Sequence, residues 1–189
     1  NFAANAIVDT KGQKFNAELE DGEFAVGEDG VPREVVGKMH EEGGVKTTLE
    51  ENDRVISDNV IVDKDHKKTF EEYGVKDGKK TTYADVIEKF NKKIGIDKLD
   101  KEQASYLEKL EKSEKDIKDE ITKEKNKEYL SGKISAIEEE KNSIAELQSF
   151  FSDIVYNKQE EVKQDGDYKT KRPSINKSLQ VSDSESIPI

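Results

Sequence analysis

The stretch that decides the fold is Ile134-Ser135-Ala136-Ile137-Glu138-Glu139-Glu140-Lys141-Asn142-Ser143-Ile144-Ala145-Glu146-Leu147-Gln148-Ser149-Phe150-Phe151-Ser152-Asp153-Ile154. Its large apolar residues Ile134, Ile137, Ile144, Leu147, Phe151 and Ile154 recur at steps of 3, 7, 3, 4 and 3. That period places them on one stripe of an α-helix, with Lys and Glu covering the rest of the cylinder. Upstream, Leu107, Leu110, Ile117 and Ile121 repeat the pattern at steps of 3, 7 and 4. Residues 98–157 therefore read as one long helical unit with an apolar packing seam. The nine-residue step from Ile121 to Leu130 breaks the repeat, and Ser131-Gly132 follows it. Two readings fit: a helical hairpin that turns there, or one coiled-coil helix with a phase shift. Glycine is common just past a helix end, which favours the hairpin.

Outward from this unit the composition changes. Residues 1–64 hold seven of the 12 glycines, with short apolar runs between them. Phe15, Ala17 and Leu19 alternate with polar residues, as in a half-buried strand. Asp21-Gly22 offers a hairpin turn before Phe24-Ala25-Val26, and Asp29-Gly30 precedes a further run at Val31–Val36. Arg54-Val55-Ile56 and Val60-Ile61-Val62 read as two more strands. The expectation is a small antiparallel β domain of four to six strands.

Residues 65–97 read as two short helices. Asp65 is placed to cap the first, which carries Phe70 and Tyr73 and stops at Gly74. Thr82 is placed to cap the second, with Asp85 in the capping-box position and Tyr83, Val86, Ile87 and Phe90 at helical spacing. From 158 to 189 the periodicity stops. Lys171-Arg172-Pro173 breaks any helix, and Ser178–Ile189 is Ser-rich and acidic. This reads as an extended tail, ordered only by a surface it lies on. The fold class is α+β: β domain, short helices, long helical hairpin or coiled coil, tail.

The bulk chemistry narrows the function. Across 189 residues, 40% are charged and 32% hydrophobic, with a net charge of -11 and a sequence pI near 4.9. That supply fills a small core and a helical seam but not one large core. Acidity argues against direct nucleic-acid binding, which needs clustered Lys and Arg. The absence of Cys excludes disulfides, thiolate zinc sites and cysteine nucleophiles. No apolar run approaches the roughly 18 residues that span a bilayer. Asn1–Thr10 lacks the basic start and apolar run of a signal peptide. The chain begins without Met, as a processed product or the ordered part of a longer polypeptide would.

Motifs for chemistry fail on spacing. Gly74–Thr81 puts three residues between its glycines where a phosphate loop needs four, and it reads as a turn between helices. Asp63-Lys64-Asp65-His66 opens like a calcium loop, but Lys68 and Gly74 stand where Gly and Glu are required. His40-Glu41-Glu42 has Gly44 where a zinc protease helix has its second His. Acid pairs such as Asp21 and Glu23 are one among many in a chain with 43 acids. No cofactor, metal or catalytic residue is expected.

Three blocks carry a resemblance: Ala17-Glu18-Leu19-Glu20-Asp21-Gly22-Glu23-Phe24, Gly37-Lys38-Met39-His40-Glu41-Glu42-Gly43-Gly44-Val45, and Asp53-Arg54-Val55-Ile56-Ser57-Asp58-Asn59. Together with Lys68-Thr69-Phe70 they resemble a block of virion proteins from crAss-like tailed phages that infect Bacteroidales. Gly37, His40, Gly43 and Gly44 match the marked positions of a Gly-x-x-His-x-x-Gly-Gly loop. The similarity spans about residues 15 to 95 and includes neither the long helical unit nor the tail. It implies a structural or packaged cargo protein, assembled in the host cytoplasm and held in the capsid, portal or tail by other virion proteins. Its loop would serve architecture. The seam also allows self-association. Two other classes compete: a cytoplasmic coiled-coil adaptor or scaffold, and a small hydrolase built on facing carboxylates.

Overall fold

The computed structural model describes residues 6–173. Five three-residue strands come first: β1 (Ala17–Leu19), β2 (Phe24–Val26), β3 (Pro32–Glu34), β4 (Val45–Thr47) and β5 (Arg54–Ile56). Four helices follow: α1 (Lys64–Glu72), α2 (Tyr83–Ile94), α3 (Ile96–Asp116) and α4 (Glu120–Asp165). The strands make two antiparallel sheets, β1-β4 and β3-β2-β5.

Strand alternation distributes the core. In β2, Phe24 and Val26 point into a large cluster with Ile56, Phe70, Tyr83, Val86, Phe151 and Val155, while Ala25 points the other way. Ala25 joins Ile7, Ala17, Leu19, Val35, Val45 and Leu49 in a smaller core. Both faces of β2 are therefore covered, which is why all three of its residues are buried. The main core crosses the expected boundary at residue 64, since α1, α2 and the C-terminal half of α4 supply most of it.

The Asp-Gly turns separate on inspection. Asp29-Gly30 lies within a true hairpin, with Val26 opposite Pro32 and Gly30 at φ 73°. Asp21-Gly22 links strands of two different sheets, because β1 pairs with β4 and not with β2. Val60–Val62 is not a strand but makes two single bridges, Val60 to Thr170 and Ile61 to Thr82.

Thr82 caps α2 with both halves of the capping box, its hydroxyl accepting from Asp85 N–H and the Asp85 carboxylate accepting from Thr82 N–H. The cap of α1 is Asp63 and not Asp65: the Asp63 carboxylate accepts from Asp65 N–H at 2.9 Å.

The long unit is a hairpin, but its turn lies at Ile117–Asp119 and not at Ser131-Gly132. Ile117 is extended (φ -86°, ψ 119°), and the Asp119 carboxylate accepts from Thr122 N–H at 2.8 Å to start α4. Gly132 sits inside α4, where a glycine costs about 1 kcal/mol against alanine and is tolerated. Helix α4 then runs past 157 to Asp165 and stops at Gly166 in the left-handed region. Its buried face continues as Phe151, Val155, Gln159 and Val162. Gln159 is fully buried and completes the edge of β5: its Oε1 accepts from Ser57 N–H at 2.7 Å and its Nε2 donates to Val55 O at 2.9 Å. The expected tail is thus helix up to Asp165 and an extended strap from 167 to 173. Ser178–Ile189 lies outside the described residues.

Candidate functional site

Three places are candidates, and the first two hold the residues expected from the sequence. The first is the arm formed by α3 and the N-terminal half of α4. Here the buried residues are few: Leu99 and Ser113 on α3, Leu130 and Ile137 on α4. Polar ties do much of the joining. Lys141 Nζ reaches Asp100 at 2.8 Å and Gln103 Oε1 at 3.1 Å, and Gln103 Nε2 donates to Glu138 at 2.7 Å. Asn126 Nδ2 donates to Ser113 Oγ across the same interface.

The expected seam divides. Ile137 and Phe151 are buried, while Leu110, Ile117, Ile134, Ile144 and Ile154 are half-buried. Leu107, Ile121 and Leu147 are exposed, at 50%, 68% and 45%. Treating Ile121 as one stripe with Leu107 fails because the turn at 117–119 resets the helical phase between them. Two apolar residues outside the expected seam, Tyr129 and Phe150, are also exposed.

The second place is the loop of Gly37, His40, Gly43 and Gly44. His40 opens a single 3-10 turn, His40–Glu42, which Gly43 closes in the left-handed region at φ 99°. His40 Nδ1 lies 3.2 Å from Glu18 Oε1, so the histidine ties the loop to β1. Gly44 is also left-handed (φ 62°), and a Cβ there would run into the Glu18 side chain. Gly37 N–H donates to Asp21 Oδ1 at 3.1 Å.

The third place was not legible in the sequence: a polar cavity of about 220 Å³ where the β region, the end of α4 and the strap meet. Its floor holds Glu20 and Glu23, both buried. Glu23 Oε2 accepts from Glu20 N–H at 2.9 Å. Burial pushes the Glu23 carboxyl up to about 7 against the backbone bond, which pulls the other way. The strap forms one wall. Lys169 O accepts from Ile61 N–H at 2.9 Å, Lys171 N–H donates to Asn59 O at 2.7 Å, and Arg172 N–H donates to Asn59 Oδ1 at 2.6 Å. The Arg172 guanidinium then reaches back to Glu20 at 2.6 Å and Asp58 at 3.4 Å. Burial raises Asp58, with Lys171 and Arg172 working against it. Met39, Val55, Val60 and Pro173 give the cavity an aliphatic side.

His66, the second histidine of the chain, is held elsewhere. Its Nδ1 lies 2.7 Å from the Tyr83 hydroxyl and its Nε2 3.0 Å from Glu161. Burial raises the Tyr83 hydroxyl far above its ordinary value, which keeps it a neutral partner. Among the described residues no group of three or more His, Asp or Glu is arranged to hold a metal ion, and no helix is long and apolar enough to cross a membrane.

No protein-family model, no curated protein and no solved structure matches the chain.

Proposed function

We propose that the chain is a structural or packaged component of a tailed-phage virion, held among other virion proteins through its helical arm and without catalysis of its own. One observation carries this reading: the arm leaves Leu107, Ile121 and Tyr129 in water. Burying such side chains contributes about 1.5–3 kcal/mol each. A helix pair so thinly packed within itself gains most from a neighbour that covers it. The sheets, by contrast, bury their apolar residues in two cores and form a base that would set the arm's direction. The resemblance of residues 15 to 95 to crAss-like virion proteins names the kind of neighbour: portal, tail or capsid subunits.

The competing role is a cytoplasmic coiled-coil adaptor or scaffold, for which the 46-residue α4 is equally suited. An antibody against the chain separates the two. Applied to density-purified crAss-like particles and to the soluble fraction of their infected Bacteroidales hosts, it should label the particles at a fixed ratio to the portal. Signal confined to the soluble fraction overturns the virion reading and leaves the adaptor.

A further inference from the structure

Polar side chains along the groove between β3, α3 and α4 are already matched to one another. Lys141 meets Asp100 and Gln103, Gln103 meets Glu138, and Gln148 Nε2 donates to Asn91 Oδ1 at 3.1 Å. Beyond them the groove, about 490 Å³ in volume, offers the aliphatic surface of Val31, Pro32, Ile96 and Ala145 and the outer edge of β3. Among the described residues that edge is paired at one point, where Ile7 runs parallel to Val35. Ile7 N–H donates to Glu34 O at 2.8 Å, and Val36 N–H donates to Ile7 O at 2.9 Å. Alternation along the strand aims the Glu34 N–H and the Pro32 carbonyl to the same side. The next residue pair of a parallel ladder takes these two groups, and Pro32, which has no N–H, ends the ladder there. Side chains alternate as well. Ile7 faces the smaller core with Val35, so Ala6 faces the other way and lines the groove beside Phe24. A half-used strand edge, an aliphatic floor and charges paired among themselves fit an uncharged extended segment.

We propose that residues 1–5 of this chain continue the Ile7 pairing along β3 and lay Ala4 and Phe2 into this groove. The side chains of Asn1-Phe2-Ala3-Ala4-Asn5 carry no charge. The parallel bridge sets the direction, since it sends the chain upstream of Ile7 toward Pro32 and Val31. Five extended residues reach about 17 Å at roughly 3.3 Å each, past the start of β3. Asn5 N–H donates to the Pro32 carbonyl, and Asn5 O accepts from Glu34 N–H. Ala4 and Phe2 share the face of Ala6, so a methyl group and an aromatic ring meet the aliphatic floor. The segment then ties the sheet to the root of the arm. This contact is independent of the virion reading: either can fail without the other.

The test is a nuclear Overhauser spectrum of the unmutated full chain, in which Phe2 ring protons should meet methyl groups of Val31, Ile96 or Ala145. A mixture of labelled and unlabelled chains separates contacts within one copy from contacts between two. Hydrogen exchange reads the strand edge. Phe2→Asp should erase the ring contacts and speed exchange of the Glu34 amide about tenfold or more, while the Ala25 amide of β2 keeps its rate. Contacts within one copy together with a faster Glu34 amide in the variant support the proposal. No contact between Phe2 and the groove, or a Glu34 amide indifferent to Phe2→Asp, overturns it. Contacts that arise only between chains overturn it too, and assign the groove to a second copy.

Discussion

The two halves of α4 belong to different kinds of protein. Its C-terminal half buries Phe151, Ser152, Val155, Gln159 and Val162 against the sheet, α1 and α2. Its N-terminal half buries only Leu130 and Ile137 against α3. Both halves have the same regular backbone, so helix formation does not separate them. What separates them is the number of apolar partners within reach. The body surrounds Phe151 on several sides: it stacks on Phe90 at 3.9 Å and meets Phe70 and Tyr73 edge-on. The arm offers one helix and then water. A domain short of apolar residues has concentrated them at one end and left the other end to polar ties.

The sharpest way to break this comparison is at Phe151. Phe151→Ala removes a ring that is 1% exposed and central to the main core. Truncations of this type cost about 3–5 kcal/mol. Urea denaturation followed by circular dichroism should show that loss in the body's transition. A loss below about 1 kcal/mol, the size of an ordinary substitution, would mean that the body is no better packed than the arm.

The halves also treat charge differently. On the arm, Glu111 and Lys115 pair at 2.9 Å with both side chains 71% exposed, so water screens them. In the body, Glu23 is buried and its carboxyl rises from 4.5 to about 7. The folded state therefore binds the proton more tightly than the unfolded state does. The associated stability is full below 4.5 and is lost as pH rises through 7. The loss amounts to about 3 kcal/mol. Glu23→Gln should cancel it: the stability difference between variant and parent, measured by denaturation at each pH, should grow by about 3 kcal/mol between pH 4.5 and above 7 in the variant's favour. A difference that stays constant with pH would place Glu23 in water.

The helical content, the α2 cap and the α+β class were legible because each rests on neighbours in sequence. Thr82 and Asp85 bond to one another's backbone within three residues, so the signal and the structure are the same object. The α1 cap was misplaced by two residues because Asp63 and Asp65 are both good caps, and only the direction of the chain entering the helix chooses between them. The hairpin turn was misplaced for a similar reason. Gly132 is the stronger local signal, yet α3 leaves α4 at Asp119, and the closing contacts at Asp100, Gln103 and Ser113 are spread along the pair. The end of α4 was placed too early because its buried face carries Gln159, whose partners Val55 and Ser57 lie more than a hundred positions away. The cavity was invisible for the same reason in stronger form. Arg172 and Glu20 are 152 residues apart, and no local pattern joins them.

Within the arm itself, Ile137→Ala tests how much one residue can carry. Ile137 is 7% exposed but lies between two helices that can draw together. The cost should sit at the bottom of the range for such truncations, about 2 kcal/mol. Hydrogen exchange adds the location: amides of α3 and of residues 120–145 should lose protection while those of β2 and α2 keep theirs. Loss of protection throughout would show that the arm and body open as one unit.

The smallest effect is the most informative for the role of the arm. Leu107 and Ile121 are 50% and 68% exposed. A surface residue away from caps and networks changes stability by no more than about 0.5 kcal/mol. The double change Leu107→Ser, Ile121→Ser should therefore leave the denaturation midpoint of the lone chain in place. Ile137→Ala and Phe151→Ala act on the fold and would disturb any assembly indirectly. With its midpoint unchanged, the double serine variant does not act in that way, and its effect on incorporation into particles reports the contact surface alone. Reduced incorporation with an unchanged midpoint puts these side chains against a neighbour. A lowered midpoint puts them in the arm's own core, and the contrast between the two halves of α4 then narrows to one of degree.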